Sequence, residues 1–177
     1  TAGYILFVGN YRPHKNFSRV LEAFRRLVRE GSYPGKLVVV GLTPDRVPAE
    51  LSERLVVFSF CPDPELVLLY SGAHLLMAPS LYEGFGLPVL EAMACGCPVL
   101  VSRAASLPEI TGAAGLQVDP FQVEDIYSGL KQILTDPALR QKMIRSGLDQ
   151  AHLYSWKATA QKVLQVFEEL SRTENHD

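Results

Sequence analysis

The chain has 177 residues, 47% apolar and 20% charged, and its 17 Lys and Arg against 19 Asp and Glu leave a net charge of −2. That length suits one domain able to bury roughly 70% of the surface its unfolded chain exposes, and the composition excludes a disordered chain. No global positive field exists to hold a nucleic acid or an anionic membrane, and no apolar stretch approaches the roughly 20 residues of a spanning helix.

Along the chain, Thr1-Ala2-Gly3 carries no initiator Met, basic flank or signal-like apolar core. It runs straight into a strand, which reads as a cut at a domain boundary in a longer protein. Tyr4–Gly9 is a short continuous apolar run ending in Gly, the pattern of a strand buried on both faces. Phe17, Val20, Leu21, Phe24, Leu27 and Val28 then recur at helical spacing, with Asn16 placed as the N-cap. Gly31–Gly35 breaks this helix, Lys36–Gly41 forms a second strand and Leu55–Phe60 a third. Glu65–Gly72 reads as a short helix, Leu75–Ala78 as a strand, Pro88–Cys95 as a helix, Val99–Ser102 as a strand and Gly115–Val118 as a short last strand.

From Val123 the pattern is helical. Its apolar stripes are Ile126, Leu130, Ile133 and Leu134; then Leu139, Met143, Ile144 and Leu148; then Val163, Leu164, Val166, Phe167 and Leu170. Ser155 is placed as the N-cap of the last helix, Trp156 and the helically spaced aromatics are expected in the core, and the polar tail 172–177 is expected to fray.

Uniformly apolar strands alternating with helices predict an α/β fold: a Rossmann-like doubly wound parallel sheet of about six strands, followed by C-terminal helices. Ligands of such sheets bind beyond the carboxyl ends of the strands, near a switch in strand order. The loops after Gly9, Gly41, Phe60, Pro79 and Ser102 are therefore where chemistry is expected.

The densest signal runs from Pro79 to Pro98. Gly84 and Gly86 clear side chains from the loop so that backbone N–H groups can approach a ligand, and Pro88 marks a helix start. A helix N-terminus beside them supplies orphan donors and about half a positive charge, a place for a phosphate. Glu91 is read in the first turn of that helix, where the dipole alone accounts for an acid and acceptance from a vicinal diol is the functional alternative. Glu83 sits in the glycine loop with no dipole or packing to account for it. It is either a solvated loop charge or a carboxylate that takes sugar hydroxyls. Arg12 and Lys15, in the loop after the first strand, are either solvated cations or partners for a diphosphate through charge-assisted bonds of roughly 1.5–3 kcal/mol each.

The remaining candidates read as structural. Only three cysteines occur, Cys61, Cys95 and Cys97, an odd count that suits a reducing compartment. Cys95-Gly-Cys97 has no second pair and no nearby His, so no metal site is expected. His74, at the start of a strand, is expected to be a hydrogen-bonded structural residue.

Glu83-Gly-Phe-Gly-Leu-Pro-Val-Leu-Glu91-Ala-Met-Ala-Cys-Gly resembles the signature of the retaining family-4, group 1 glycosyltransferases of the GT-B fold. The resemblance extends over Phe7–Asn10 with Pro13–Asn16, Leu69–Ala73, Ser106–Ile110, Val118–Pro120, Asp136–Arg140 and Ser155-Trp156. It implies that residues 1–177 form the C-terminal, donor-binding domain of a two-domain enzyme, with 151–177 as its terminal helix and tail and an acceptor domain lying outside this chain. It further implies a GDP- or UDP-linked sugar as donor, GDP-mannose ahead of UDP-glucose. A sugar, lipid-linked or glycan acceptor and transfer of a hexose with retention are expected, without a metal. Lys15 and Glu83, with Arg12, are implied as catalytic. Gly9, Asn10, Cys61, Gly84, Phe85, Gly86, Leu87 and Glu91 are implied as donor contacts, Glu91 at the ribose and the Phe60–Pro62 backbone at the base. Many members carry Arg where this chain has Asn10, a departure that Arg12 would have to cover.

The expected setting is the cytoplasm, with the parent protein peripheral at the inner membrane face. Two alternatives stand beside the transferase: a non-catalytic nucleotide-sugar binding module, and an epimerase or phosphorylase on the same fold. All of these readings require Glu83, Glu91 and Lys15 to surround one shared cavity.

Overall fold

The computed structural model describes residues 3–46 and 48–173. Six parallel strands lie in the order β3-β2-β1-β4-β5-β6. They are β1 (Tyr4–Val8), β2 (Lys36–Val40), β3 (Leu55–Phe58), β4 (Ala73–Ala78), β5 (Val99–Ser102) and β6 (Leu116–Val118). The chain winds outward from β1 through β2 to β3, then crosses back to lay β4 against the other side of β1. In register, Leu6 of β1 faces Val38 of β2 on one side and Leu76 of β4 on the other. The switch point is therefore the β1/β4 junction, where the loops after these two neighbouring strands part to opposite halves of the sheet, the place where such sheets bind ligands.

The α-helices of the described residues are α1 (Phe17–Arg29), α2 (Asp63–Gly72), α3 (Leu87–Ala94), α4 (Leu107–Thr111), α5 (Val123–Thr135), α6 (Pro137–Ala151) and α7 (Trp156–Thr173). Because successive strand residues point to opposite faces, each apolar strand feeds two cores. Ile5, Phe7, Leu37, Val39, Leu75, Met77 and Leu100 pack under α1 and α5. Leu6, Val38, Val40, Leu76, Val99 and Val101 pack under α2, α3 and α4. Unbroken hydrophobic strands thus follow directly from a sheet covered on both sides.

Four expectations change. The short helix α4 emerges over Leu107–Thr111, stapled by Thr111 Oγ1 donating to the Leu107 carbonyl. Glu91 lies in the second turn of α3, not the first, because Leu87 rather than Pro88 opens the helix. Asn16 occupies the N-cap position of α1 but does not cap it with its side chain. It is buried at φ 60°, a left-handed conformation that Asn tolerates. Its Nδ2 donates to the Pro79 carbonyl (2.8 Å) and the Pro120 carbonyl (2.7 Å), so it ties three loops of the carboxyl edge together.

The fourth change concerns α7. Trp156 is 79% exposed and Phe167 65%, and Val163, Leu164, Val166 and Leu170 are exposed as well. The third apolar stripe is therefore a surface face, not core. Ser155 does cap this helix, its Oγ accepting from Ala158 N at 3.1 Å. The helix continues through Thr173, past the point where fraying was expected, and 174–177 lie outside the described residues. His74 is hydrogen-bonded as expected, its Nδ1 3.1 Å from the Tyr33 hydroxyl.

Candidate functional site

The loops after β1 and β4 meet at the switch point. The first contains a 3-10 turn over Pro13–Lys15, and the amide of Leu81 donates to the His14 carbonyl at 2.7 Å, binding the second loop to it. Across this seam Lys15 Nζ donates to Glu83 Oε1 at 2.7 Å, with each side chain 15% exposed. Ser80, itself buried, donates its hydroxyl to the same oxygen at 2.7 Å. Both donors converge on Oε1, and among the described residues none is recorded on Oε2. Glycine permits the approach: a Cβ on Gly9 would stand 3.3 Å from Lys15 Cδ, so the lysine stem lies close over the bare backbone.

The glycine loop is pinned from behind. Ser106, just before α4, donates to the Glu83 carbonyl (3.0 Å) and the Phe85 carbonyl (2.8 Å). Gly86 holds φ 104°, and a Cβ there would come 2.7 Å from Leu107 Cδ2, so only glycine fits this close turn. Gly84 is exposed, with open space where its side chain would be. At the start of α3, Pro88 has no N–H and the amide of Val89 is taken by the Gly86 carbonyl at 2.9 Å. The helix's own contribution to an anion is therefore narrowed to the amide of Leu87, beside the loop amides.

Glu91 stands apart from the ion pair. It is exposed, and Tyr70 of α2 donates its hydroxyl to Oε2 at 3.0 Å. Glu91 helps line a cavity of about 300 Å³ with Phe85, Leu87, Tyr154 and Trp156. Neither Glu83 nor Lys15 lines it. The three residues thus share the loop-and-helix unit at the switch point, but neither this cavity nor the one beside Arg12 is lined by all three, so the expected enclosure of Glu83, Glu91 and Lys15 by one cavity is not seen among the described residues.

Arg12 is not brought to the pair. It is exposed and lines a separate cavity of about 230 Å³ with Tyr11, Pro13, Phe17 and Ser18. Asn10 is exposed in the same loop. Cys61, beyond β3, turns its buried side chain into the α2–α3 core, where burial pushes its thiol ionisation up.

The profile of the family described as "Glycosyl transferases group 1" matches residues 1–150. The chain belongs to the group 1 glycosyl transferases. It is 37% identical over 173 residues to "O-antigen chain mannosyltransferase B" of Escherichia coli, a match that covers 93% of this chain and 45% of that protein. Among solved structures, the sucrose-phosphate synthase of Thermosynechococcus elongatus superposes with a TM-score of 0.82 at 28% identity, over 97% of this chain and 46% of that one. The C-terminal domain of a group 1 glycosyl transferase (LpcC) from Francisella tularensis superposes with a TM-score of 0.70 at 26% identity, covering 85% of each chain. This group 1 chain therefore spans less than half the length of the mannosyltransferase and of the synthase.

Ser80, Tyr70, Ser106 and the bracing role of Asn16 were not reached from the sequence as contributors to the site. Two loop serines and a tyrosine inside an apolar helix carry no local signal. Only the fold shows that their hydroxyls converge on the carboxylates and carbonyls of one loop and the helix that follows it.

Proposed function

We propose that residues 1–177 form the donor-binding, C-terminal domain of a longer group 1 transferase. The enzyme takes a hexose from a nucleotide-diphosphate sugar and passes it, with retention, to an acceptor hydroxyl on a sugar, lipid-linked sugar or glycan. GDP-mannose is the favoured donor, ahead of UDP-glucose. The likeness to a C-terminal domain over 85% of each chain supports the domain assignment. The mannosyltransferase relative supports the donor.

One observation carries the proposal, in place of the single enclosing cavity that the sequence reading asked for: the Lys15–Glu83 ion pair across the switch point. Both side chains are largely withdrawn from water, where the cost of desolvating two charges offsets much of their attraction, so the fold has little stability to gain from holding them together. A diphosphate arriving there offers Lys15 a second anion. Glu83, braced by Ser80, then turns its remaining acceptor capacity to sugar hydroxyls. Phe85, Gly86 and Leu87 present backbone N–H groups beside them, and Glu91 receives the ribose diol. Gly9, Asn10 and Gly84 supply close backbone, and Cys61 marks the loop whose backbone meets the base. The departing phosphate oxygen takes the proton of the acceptor hydroxyl as the new C1–O bond forms on the face it leaves. Preorganised positive groups favour the leaving group most as its charge develops.

No helix among the described residues is long and apolar enough to cross a membrane. We place the longer protein in the cytoplasm, peripheral at the inner membrane face, where lipid-linked acceptors are presented.

The test is calorimetric titration of the 177-residue chain with GDP, UDP and ADP at low salt. Binding of one nucleotide, weakened in both Lys15→Ala and Glu91→Ala, is the expected result. No binding of any of the three overturns the proposal. Acceptor-dependent transfer by the longer protein distinguishes an enzyme from a passive module.

A further inference from the structure

Glu91 is an exposed side chain on a helix surface, and three rotatable bonds would ordinarily let its carboxylate wander. Its one described partner is Tyr70, whose residue is 1% exposed and whose ring is locked in the core beneath α2 and α3. A buried hydroxyl must find an acceptor, and this one finds Oε2 of Glu91 at 3.0 Å. Burial first, and the neighbouring Glu91 charge second, raise the ionisation of Tyr70, so it remains a donor at neutral pH. A rigid core group thus grips one oxygen of a solvent-facing carboxylate. Among the described residues no hydrogen bond falls on Oε1, and Oε2 retains a further lone pair, as a carboxylate offers about four acceptor positions.

We propose that Tyr70 is a positioning residue for Glu91, fixing its carboxylate in the orientation that accepts from the vicinal hydroxyls of the nucleotide's ribose. The proposal rests on the donor-site reading above. Its rival is purely structural, with Glu91 serving only as the acceptor that a buried tyrosine requires. The two differ in what Tyr70→Phe does. That substitution keeps the ring and its packing and deletes only the donor.

The experiment titrates the 177-residue chain with GDP and UDP and with their 2′,3′-dideoxy counterparts, which lack both ribose hydroxyls. The native chain is expected to favour the ribose form of its nucleotide by about tenfold or more. Tyr70→Phe should weaken the ribose form roughly three- to tenfold, leave the dideoxy form unchanged, and shift the melting temperature by only about 2–4 °C. Glu91→Ala should abolish the preference, and adding Tyr70→Phe to it should cost nothing more, because the two act as one unit. A Tyr70→Phe chain that melts lower yet keeps the native preference, or that loses both forms equally, overturns the proposal. If the native chain binds ribose and dideoxy forms alike, Glu91 does not read ribose and the proposal fails with it. If it binds neither GDP nor UDP, the donor-site reading itself fails.

Discussion

Two glutamates eight residues apart in one loop-and-helix unit meet opposite environments. Glu83 is half-buried, paired with Lys15 and braced by a buried serine. Glu91 faces solvent and receives a single bond from a buried tyrosine. The first carboxylate is already committed, so a ligand at that end must exchange partners with it. The second is oriented but unspent. Under the proposed donor-site reading this division has a use: a cation would wait with its charge neutralised at the phosphate end, while an open acceptor would wait at the ribose end of the nucleotide.

The largest effect expected from breaking this contrast is at Glu83. Glu83→Gln should lower transfer by the longer protein about a hundredfold or more, the scale of losing a positioned group at a reacting centre. Nucleotide affinity should stay within threefold or rise, because Lys15 is released from its partner. A collapse of nucleotide affinity instead, read by calorimetry, would reverse the roles assigned to the two ends.

Lys15→Ala comes next. Losing a charge-assisted bond of about 1.5–3 kcal/mol predicts a roughly 10- to 100-fold loss of GDP or UDP affinity at low salt. The salt dependence of binding should flatten with it. A retained slope would mean that another cation meets the diphosphate.

Arg12→Ala should change affinity less than about threefold, since Arg12 is exposed and faces a different cavity. A loss matching that of Lys15 would show that the loop rearranges to bring Arg12 to the phosphate.

The smallest effect lies at the opposite edge of the sheet and serves as a control. Burial holds the ionisation of His74 below its usual value, with Arg140 adding to the effect, and its neutral ring sits against the Tyr33 hydroxyl. Its contribution to stability is therefore complete above the ordinary histidine value of about 6.5. It is lost as pH falls below that value toward the lowered one of the folded chain. His74→Gln should flatten this part of the pH–stability curve, measured by urea unfolding, without touching nucleotide binding.

Much of the site was legible in the sequence because its parts are local. Gly84, Gly86, Pro88 and the Glu83/Glu91 spacing all fall within one turn and helix, where chain geometry ties residue type to position. Lys15 was legible only as a charge in the right loop. That it reaches Glu83, 68 positions away, depends on β4 returning to the side of β1. Glu91 shows the limit of even local reading: a one-residue shift in the helix start moves it out of the first turn and removes the dipole as its explanation.

The helices α5 and α7 mark the boundary between what each level decides. Both show an apolar stripe at helical spacing, and both are helices. Ile126, Leu130 and Ile133 are fully buried, whereas Leu164, Phe167 and Leu170 are exposed. Periodicity determines that a helix has an apolar face, because side-chain direction repeats with the backbone. The sequence alone accordingly determined the six strands, every helix but α4, their alternation, the parallel doubly wound sheet and the loop where chemistry would sit. Which face meets a partner, which hydroxyl reaches Glu91 and which cation reaches Glu83 were decided only by tertiary structure. Those contacts join residues distant along the chain, and strand order, not local pattern, brings them within bonding distance.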